Sequence, residues 1–329
     1  MLCSESEIHK ENCMLLTLLS PEPTGYVSKV EQNQIEELDG IFNKLSLGLN
    51  QSVLEPLIRR PSLTCDEISR LNARDFVLKR CNQQEPIDFD LCYPDSLLQK
   101  CHKIGEGVYG EVFLLKQPQG HATVLKIQPI EGTTYINGER QKKFDEIITE
   151  IIITQELSNL RSDNELNRTT CFTYLQNVRC VRGKYPVRLI DGWELYEEYQ
   201  GTDNDHPEIF GDEQLYVVFE LEYGGRDLES YEFFNAEQSH SIFIQTAIAL
   251  GIAEKVLSFE HRDLHWGNLL IQPTDDQYID FIFNGNKISV ETHGVKATII
   301  DFTLSRITYQ NRCIFNNLAN EPDLFHENE

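Results

Sequence analysis

The sequence predicts an α+β fold of two lobes, the first rich in strands and the second mainly helical. Three observations predict it. Short strand-type runs cluster after Cys101, at Val112–Lys116 and Ala122–Gln128. Two long stretches, Phe144–Leu160 and Ala236–Phe259, carry apolar residues at helical spacing. Strand-like pieces return after the second of them, at Leu269–Ile271 and Ala297–Ile300. Strands first and then mainly helix is the order of a segregated α+β architecture.

Residues 1–96 read as a helical N-terminal extension, followed by a main domain over 97–329. Within the extension, Ile35–Leu49 and Ile68–Lys79 have helical spacing, with Pro56 and Pro61 between them. Neither carries a chemical motif. In the main domain, Lys103–Ile104 leads into a glycine turn, and Pro118 and Gly120 mark the turn between the next two strands. Phe144–Leu160 carries Ile147, Ile148, Ile151, Ile152, Leu157 and Leu160, one broad apolar face. Leu215–Leu221 (LYVVFEL) is an unbroken apolar run, the pattern of a strand buried on both faces. Asn284-Gly285 between apolar runs over Ile279–Val290 signals a hairpin.

The composition bounds the function. Hydrophobic residues make up 40% and charged residues 25% of the 329, which excludes wholesale disorder. The net charge is −24. That excludes a general nucleic-acid binder and a surface that docks on anionic lipid, and it favours a cationic partner. Asp191–Glu232 holds 14 acidic residues against one base, Arg226, so 13 of the 24 excess charges sit there. Such a block is either a surface with a use or a solvated loop. The nine cysteines form no Cys-x-x-Cys pair and read as free thiols of a reducing compartment. The N-terminus, MLCSESEIHKENCMLLTLLS, lacks the basic start and long apolar core of a secretory signal. Ser241–Phe259 is interrupted by Gln245, Glu254 and Lys255, so it reads as a packed helix rather than a membrane span. The largest basic group is Arg140 with Lys142 and Lys143, too small for an obvious nuclear-import cluster.

Four motifs carry chemistry. The first is Gly105-Glu106-Gly107-Val108-Tyr109-Gly110-Glu111-Val112. Glycines let backbone approach phosphate oxygens without a Cβ clash. A strand follows where a dinucleotide fold would place a helix, which favours a hairpin over ATP. The second is Lys126 in Thr-Val-Leu-Lys-Ile; an ammonium in a buried-type strand needs a counterion. Glu150, inside an isoleucine run, is the candidate, and Glu146 competes with it. The third, His261-Arg262-Asp263-Leu264-His265-Trp266-Gly267-Asn268, fits H-R-D-x-x-x-x-N in full. There an aspartate can accept a hydroxyl proton, and an asparagine can offer an amide oxygen to magnesium. The fourth is Asp301-Phe302-Thr303, at the end of an apolar strand, where a second magnesium ligand belongs.

At these residues the chain resembles the haspin family, divergent eukaryotic protein kinases that modify histone tails. The resemblance rests on Ile104–Phe113, Glu150–Ile153, Val218–Glu229, Phe259–Asn268 and Ile300–Arg306. The His-Trp-Gly insert and the Asp-aromatic-Thr triplet are its most specific parts, although the family has tyrosine where Phe302 stands. It implies a two-lobed protein-kinase-like fold with a β-rich N-lobe (about 97–221) and a helical C-lobe from about 228. It also implies ATP and Mg2+. Carried onto matching positions, Ile104, Gly105, Glu106, Gly107, Val108, Gly110 and Val112 cover the nucleotide. Lys126 binds phosphates and pairs with Glu150. Glu222, Tyr223 and Gly225 form the adenine hinge, and Asp227 reaches the ribose. Asp263 is the catalytic base, and Asn268 and Asp301 hold magnesium. Asp227, Glu229, Glu321 and Asp323 bind the substrate, a threonine in the basic amino-terminal tail of a histone. The resemblance further implies a nuclear, chromosomal setting, a part in mitotic chromosome segregation, and no need for activation-loop phosphorylation. Only 28 residues follow Asp301. Family members continue with further helices, so the C-lobe is expected to look incomplete.

Two other readings stay open. One is a catalytically inactive, truncated kinase-like interaction protein. The other is a small-molecule kinase of the choline or aminoglycoside type, which shares the H-x-D-x-x-x-x-N loop.

Overall fold

The structure, a computed structural model, describes residues 72–116, 122–162 and 166–316. Helix α1 (Ala73–Arg80) opens it, with Asn72 capping the Asp75 amide at 2.8 Å. Strand β1 (Ile87–Asp88) and the single turns α2 (Phe89–Cys92) and α3 (Asp95–Leu98) follow. Three antiparallel strands come next, β2 (Cys101–Gly107), β3 (Gly110–Lys116) and β4 (Ala122–Ile130). Helix α4 (Phe144–Asn159) crosses to β5 (Asn167–Arg168) and β6 (Leu175–Arg182). Helix α5 (Val187–Gln200) and β7 (Leu215–Glu222) complete this part.

These elements make one six-stranded sheet, ordered β1-β6-β7-β4-β3-β2. The apolar run in β7 is explained by its place: it lies between β6 and β4, buried on both sides. Val217 and Phe219 point to the face covered by α1 and α4, where Val77, Ile147 and Ile151 pack. Tyr216 and Val218 point to the opposite face, among Phe89, Phe113 and Tyr185. The period-two alternation of a strand separates the two sets. Residues 73–98 thus contribute to both cores, and β1 pairs with β6.

β6 and α5 were not separated as elements in the sequence. The acidic block is not one solvated loop: α5 forms its start and β7 crosses its second half, with loops between and after them. Its charges line one side of α5, while Leu189 and Trp193 are buried on the other.

Strand β8 (Arg226–Asp227) opens a separate sheet. Helix α6 (Ala236–Leu257) is capped by Asn235 and closed by Ser258 in the left-handed region, φ 48°. Strand β9 (Leu269–Pro273) pairs with β8 and with β12 (Val295–Ile299). Between them β10 (Tyr278–Phe283) and β11 (Asn286–Glu291) form the expected hairpin, with Asn284 and Gly285 at φ 49° and 78°. Strands β13 (Arg306–Tyr309) and β14 (Arg312–Phe315) close the described chain. α6 is long and apolar enough to cross a membrane by length and composition. Here its Gln245 is fully buried and bonds the backbone of β12, accepting from Ala297 N at 2.8 Å and donating to Val295 O at 3.0 Å. Cys171 and Cys180 are buried free thiols, and burial pushes them up to about 11 and about 12.

Ile35–Leu49, the Pro118/Gly120 turn, Glu321 and Asp323 lie outside the described residues.

Candidate active site

Lys126 lies on β4, opposite Val112 of β3 and Phe219 of β7. Its neighbours in the strand are apolar, so its ammonium is forced to find anions. It finds two. Glu150 Oε1 of α4 is 2.8 Å away, and Asp301 Oδ2 is 3.4 Å away. Burial opposes the Lys126 charge, but Asp301 and Glu150 outweigh it and hold its pKa above the ordinary lysine value. Burial likewise opposes ionisation of Glu150, while Lys126 and Lys142 pull its pKa below the ordinary value. Asp301 is shifted down too; burial resists, and Lys126 and the Thr303 amide prevail. Glu146, the competitor, instead pairs with Arg140 and caps the start of α4.

Lys142 was missed in the sequence, where it counts only as part of a basic group. The structure buries it. Its Nζ is 3.2 Å from Glu150 Oε2 and 4.3 Å from the Tyr109 ring centroid, at the tip of the glycine hairpin. No local pattern marks this position. The chain turning back after β4 brings it in, with Glu131 N donating to Lys142 O at 3.0 Å. Gln128 adds a further donor to Glu150, at 3.2 Å.

The glycine motif forms the β2–β3 hairpin, with Gly107 opposite Gly110 and a register shift between Lys103 and Gly105. Gly110 is required by space: a Cβ there would lie 2.1 Å from Ile127 O. Ile104 and Val108 are exposed, Gly110 and Val112 are half-buried, and Glu106 is held by Lys103 at 2.7 Å.

The segment after α6 builds the second cluster. Arg262 adopts φ 67° and Asp301 φ 58°, both left-handed turns away from regular structure. Asn268 is buried; its Nδ2 donates to Asp263 O at 2.9 Å and lies 3.4 Å from Asp263 Oδ2. The Asp263 carboxylate is exposed. Ile300 ties the two motifs together: its amide donates to Asn268 O at 3.0 Å, and its carbonyl meets His261 Nε2 at 3.0 Å. Burial pushes the His261 pKa down, which fits a neutral ring in a structural place. Phe302 is buried against Phe172, Phe259 and His261.

Glu222 ends β7, and Tyr223 and Gly225 lie between it and β8. Arg161 clips Glu222 at 2.8 Å, and Glu222 N donates to Tyr174 O at 2.9 Å. Gly225 has φ 104°, and a Cβ there would lie 2.0 Å from Ile271 O. Asp227 accepts from Ser230 N at 2.8 Å and Ser230 Oγ at 2.9 Å, a partner not foreseen. Glu229 is exposed two residues further on.

The structure therefore brings Lys126, Glu150 and Asp301 into one ion cluster, and Asp263 and Asn268 into one loop beside it. Among the described residues no group of three His, Cys, Asp or Glu could cage a metal by itself. One carboxylate and one amide side chain instead suit magnesium, which keeps most of its shell for water and phosphate oxygens.

Comparison with known proteins identifies the family. The family described as Haspin like kinase domain matches residues 28–329. The Drosophila melanogaster serine/threonine-protein kinase haspin homolog is 44% identical over 255 residues, 76% of this chain and 45% of that protein. The Mus musculus serine/threonine-protein kinase haspin is 42% identical over 251 residues, 76% of this chain and 33% of its own. The Arabidopsis thaliana haspin homolog is 39% identical over 285 residues, 83% and 46% respectively. The chain spans less than half the length of each of these relatives.

Proposed function

The chain belongs to the haspin-like kinase domain family, and from that premise we propose that it transfers the γ-phosphate of ATP to a threonine hydroxyl in a basic histone tail. The observation that carries the reading is the Lys126–Glu150–Asp301 cluster beside Asp263 and Asn268. In this reading the N-lobe spans about 97–221 and the C-lobe begins near 228.

The residues act in separate roles. Lys126, kept charged and held by Glu150, orients the nucleotide phosphates under the glycine hairpin. Backbone of Glu222, Tyr223 and Gly225 meets the adenine. Asp263, exposed beside the phosphate site, takes the proton of the incoming hydroxyl as the new bond forms. Asn268 and Asp301 would hold magnesium, which when bound neutralises charge on the phosphates. Asp227, Glu229, Glu321 and Asp323 supply negative charge for a basic peptide. The nuclear and chromosomal setting belongs to the same proposal and rests on the family resemblance.

The test is phosphate incorporation from labelled ATP into a histone amino-terminal tail peptide. Incorporation is expected with the unaltered chain, falling at least about a hundredfold in Asp263→Asn. Folded, unaltered chain that transfers no phosphate sinks the proposal.

A further inference from the structure

The glycine hairpin is gripped from outside by residues that no motif contains. Asn137 Nδ2 donates to Val108 O at 2.9 Å and reaches Gly107 O at 3.5 Å. Asn204 Nδ2 donates to Gly107 O at 3.3 Å and to Glu111 Oε1 at 2.9 Å. The two segments are clasped together as well. Asn137 N donates to Asp205 Oδ2, and Asp205 N to Asn137 Oδ1, each at 2.7 Å. Thr202 Oγ1 donates to Glu106 Oε2 at 2.6 Å. Beneath them Lys103, buried, is 2.7 Å from both Glu106 and Glu111. Its ammonium stands 5.0 Å from the Trp193 ring and 4.5 Å from that of Tyr196, so α5 carries the base of the arrangement.

The consequence follows from the planar peptide. In a trans peptide the carbonyl and the N–H point in opposite directions. Holding the Gly107 and Val108 carbonyls toward Asn137 and Asn204 turns the Val108 and Tyr109 N–H groups to the other face of the hairpin. A loop with three glycines would otherwise sample many orientations of those donors.

We infer that Asn137, Thr202 and Asn204 are positioning residues that preset the hairpin's N–H groups toward the nucleotide phosphates, so that the cradle does not have to close on the nucleotide. The inference deepens the kinase reading and rests on it. None of the three side chains needs to touch the nucleotide; they act through the hairpin backbone.

Two measurements on the purified chain separate this role from a merely structural one. The first is amide hydrogen exchange at residues 105–110. Exchange is expected to rise about tenfold in the Asn137→Ala/Asn204→Ala double variant, with an unchanged melting temperature. The second compares affinities for Mg-ATP and for adenosine, which lacks the phosphates. The double variant and Thr202→Val are expected to bind Mg-ATP about five- to tenfold more weakly, with adenosine affinity unchanged. Thr202→Ser, which keeps the hydroxyl, restores Mg-ATP binding. Equal losses for both ligands, or no loss for either, overturn the inference. Should the unaltered chain bind no nucleotide, the kinase reading fails instead. The exchange measurement still decides the grip: unchanged protection in the double variant overturns it.

Discussion

Glu150 is a carboxylate shared by two ammonium groups, one buried and one half-buried. Its two oxygens face Lys126 and Lys142, and its side chain is only 3% exposed. Replacing it by glutamine keeps the shape and removes the charge, leaving Lys142 buried without its carboxylate and Lys126 with Asp301 alone. Removing one partner of a buried pair costs about 3–5 kcal/mol, and a loss of that size is expected for Glu150→Gln in urea unfolding; less than about 1 kcal/mol would contradict the coupling. The pH dependence follows from the same contacts. The folded Glu150 has its pKa below the ordinary value of 4.5, so the unfolded chain binds the extra proton as pH falls. The stabilisation is complete above that ordinary value and is lost as pH falls through the folded one. Asp301 acts in the same sense. Glu150→Gln is therefore expected to flatten the acid limb of the stability profile, and an unchanged slope would show the pair to be uncoupled. Lys126 and Glu150 were legible because a charge inside an apolar run must be paired. Asp263 and Asn268 were legible because their spacing is fixed by the loop's chemistry. Lys142 was not, because its burial depends on a chain reversal rather than on its neighbours in sequence.

Two elements hold the site by contacts that a single atom would break. At the β3–β4 edge, Gly110→Ala would set a Cβ 2.1 Å from Ile127 O. The strands would have to part where Lys126 pairs with Val112. Loss of Mg-ATP binding is expected, along with about 2 kcal/mol or more of stability; binding at full affinity would show that the hairpin can shift without consequence. In the second lobe, Gln245 fastens α6 to β12, the strand that delivers Asp301. Gln245→Leu keeps the volume but leaves Val295 O and Ala297 N unpaired and buried, at about 1–3 kcal/mol each. A melting temperature within a degree of the unaltered chain would rule that account out. The strands and helices with a clean period were all legible: β3, β4, α4, β7, α6 and the β10–β11 hairpin. β6 and α5 were not. In β6 (LQNVRCVR) buried and charged positions break the alternation, and a register shift between Leu175 and Asn177 breaks it further. α5 begins after Pro186 and was hidden by its acidic face, since only Leu189 and Trp193 on it are fully buried.

At the scale of the whole molecule the charge of −24 has a structural address. Part of the acidic block lies along α5, and part lies at Glu222, Asp227 and Glu229, from the end of β7 to just past β8. For a basic peptide bound there, affinity is expected to fall as salt rises, because exposed charges are screened over about 8 Å at physiological ionic strength. A titration of a histone-tail peptide at two salt concentrations checks this, and a salt-independent affinity would show that the acidic groups play no part. By itself the sequence determined the two-lobed α+β class, the four motifs and the family, because each depends on local spacing that neighbouring residues enforce. Only the tertiary structure decided which charges meet. It selected Glu150 over Glu146, recruited Lys142, and brought Asn137, Thr202 and Asn204 to the glycine hairpin. Those pairings join residues 24 to 97 positions apart, except for Lys142. Contacts at such separations depend on where each element crosses the sheet, which no local pattern encodes.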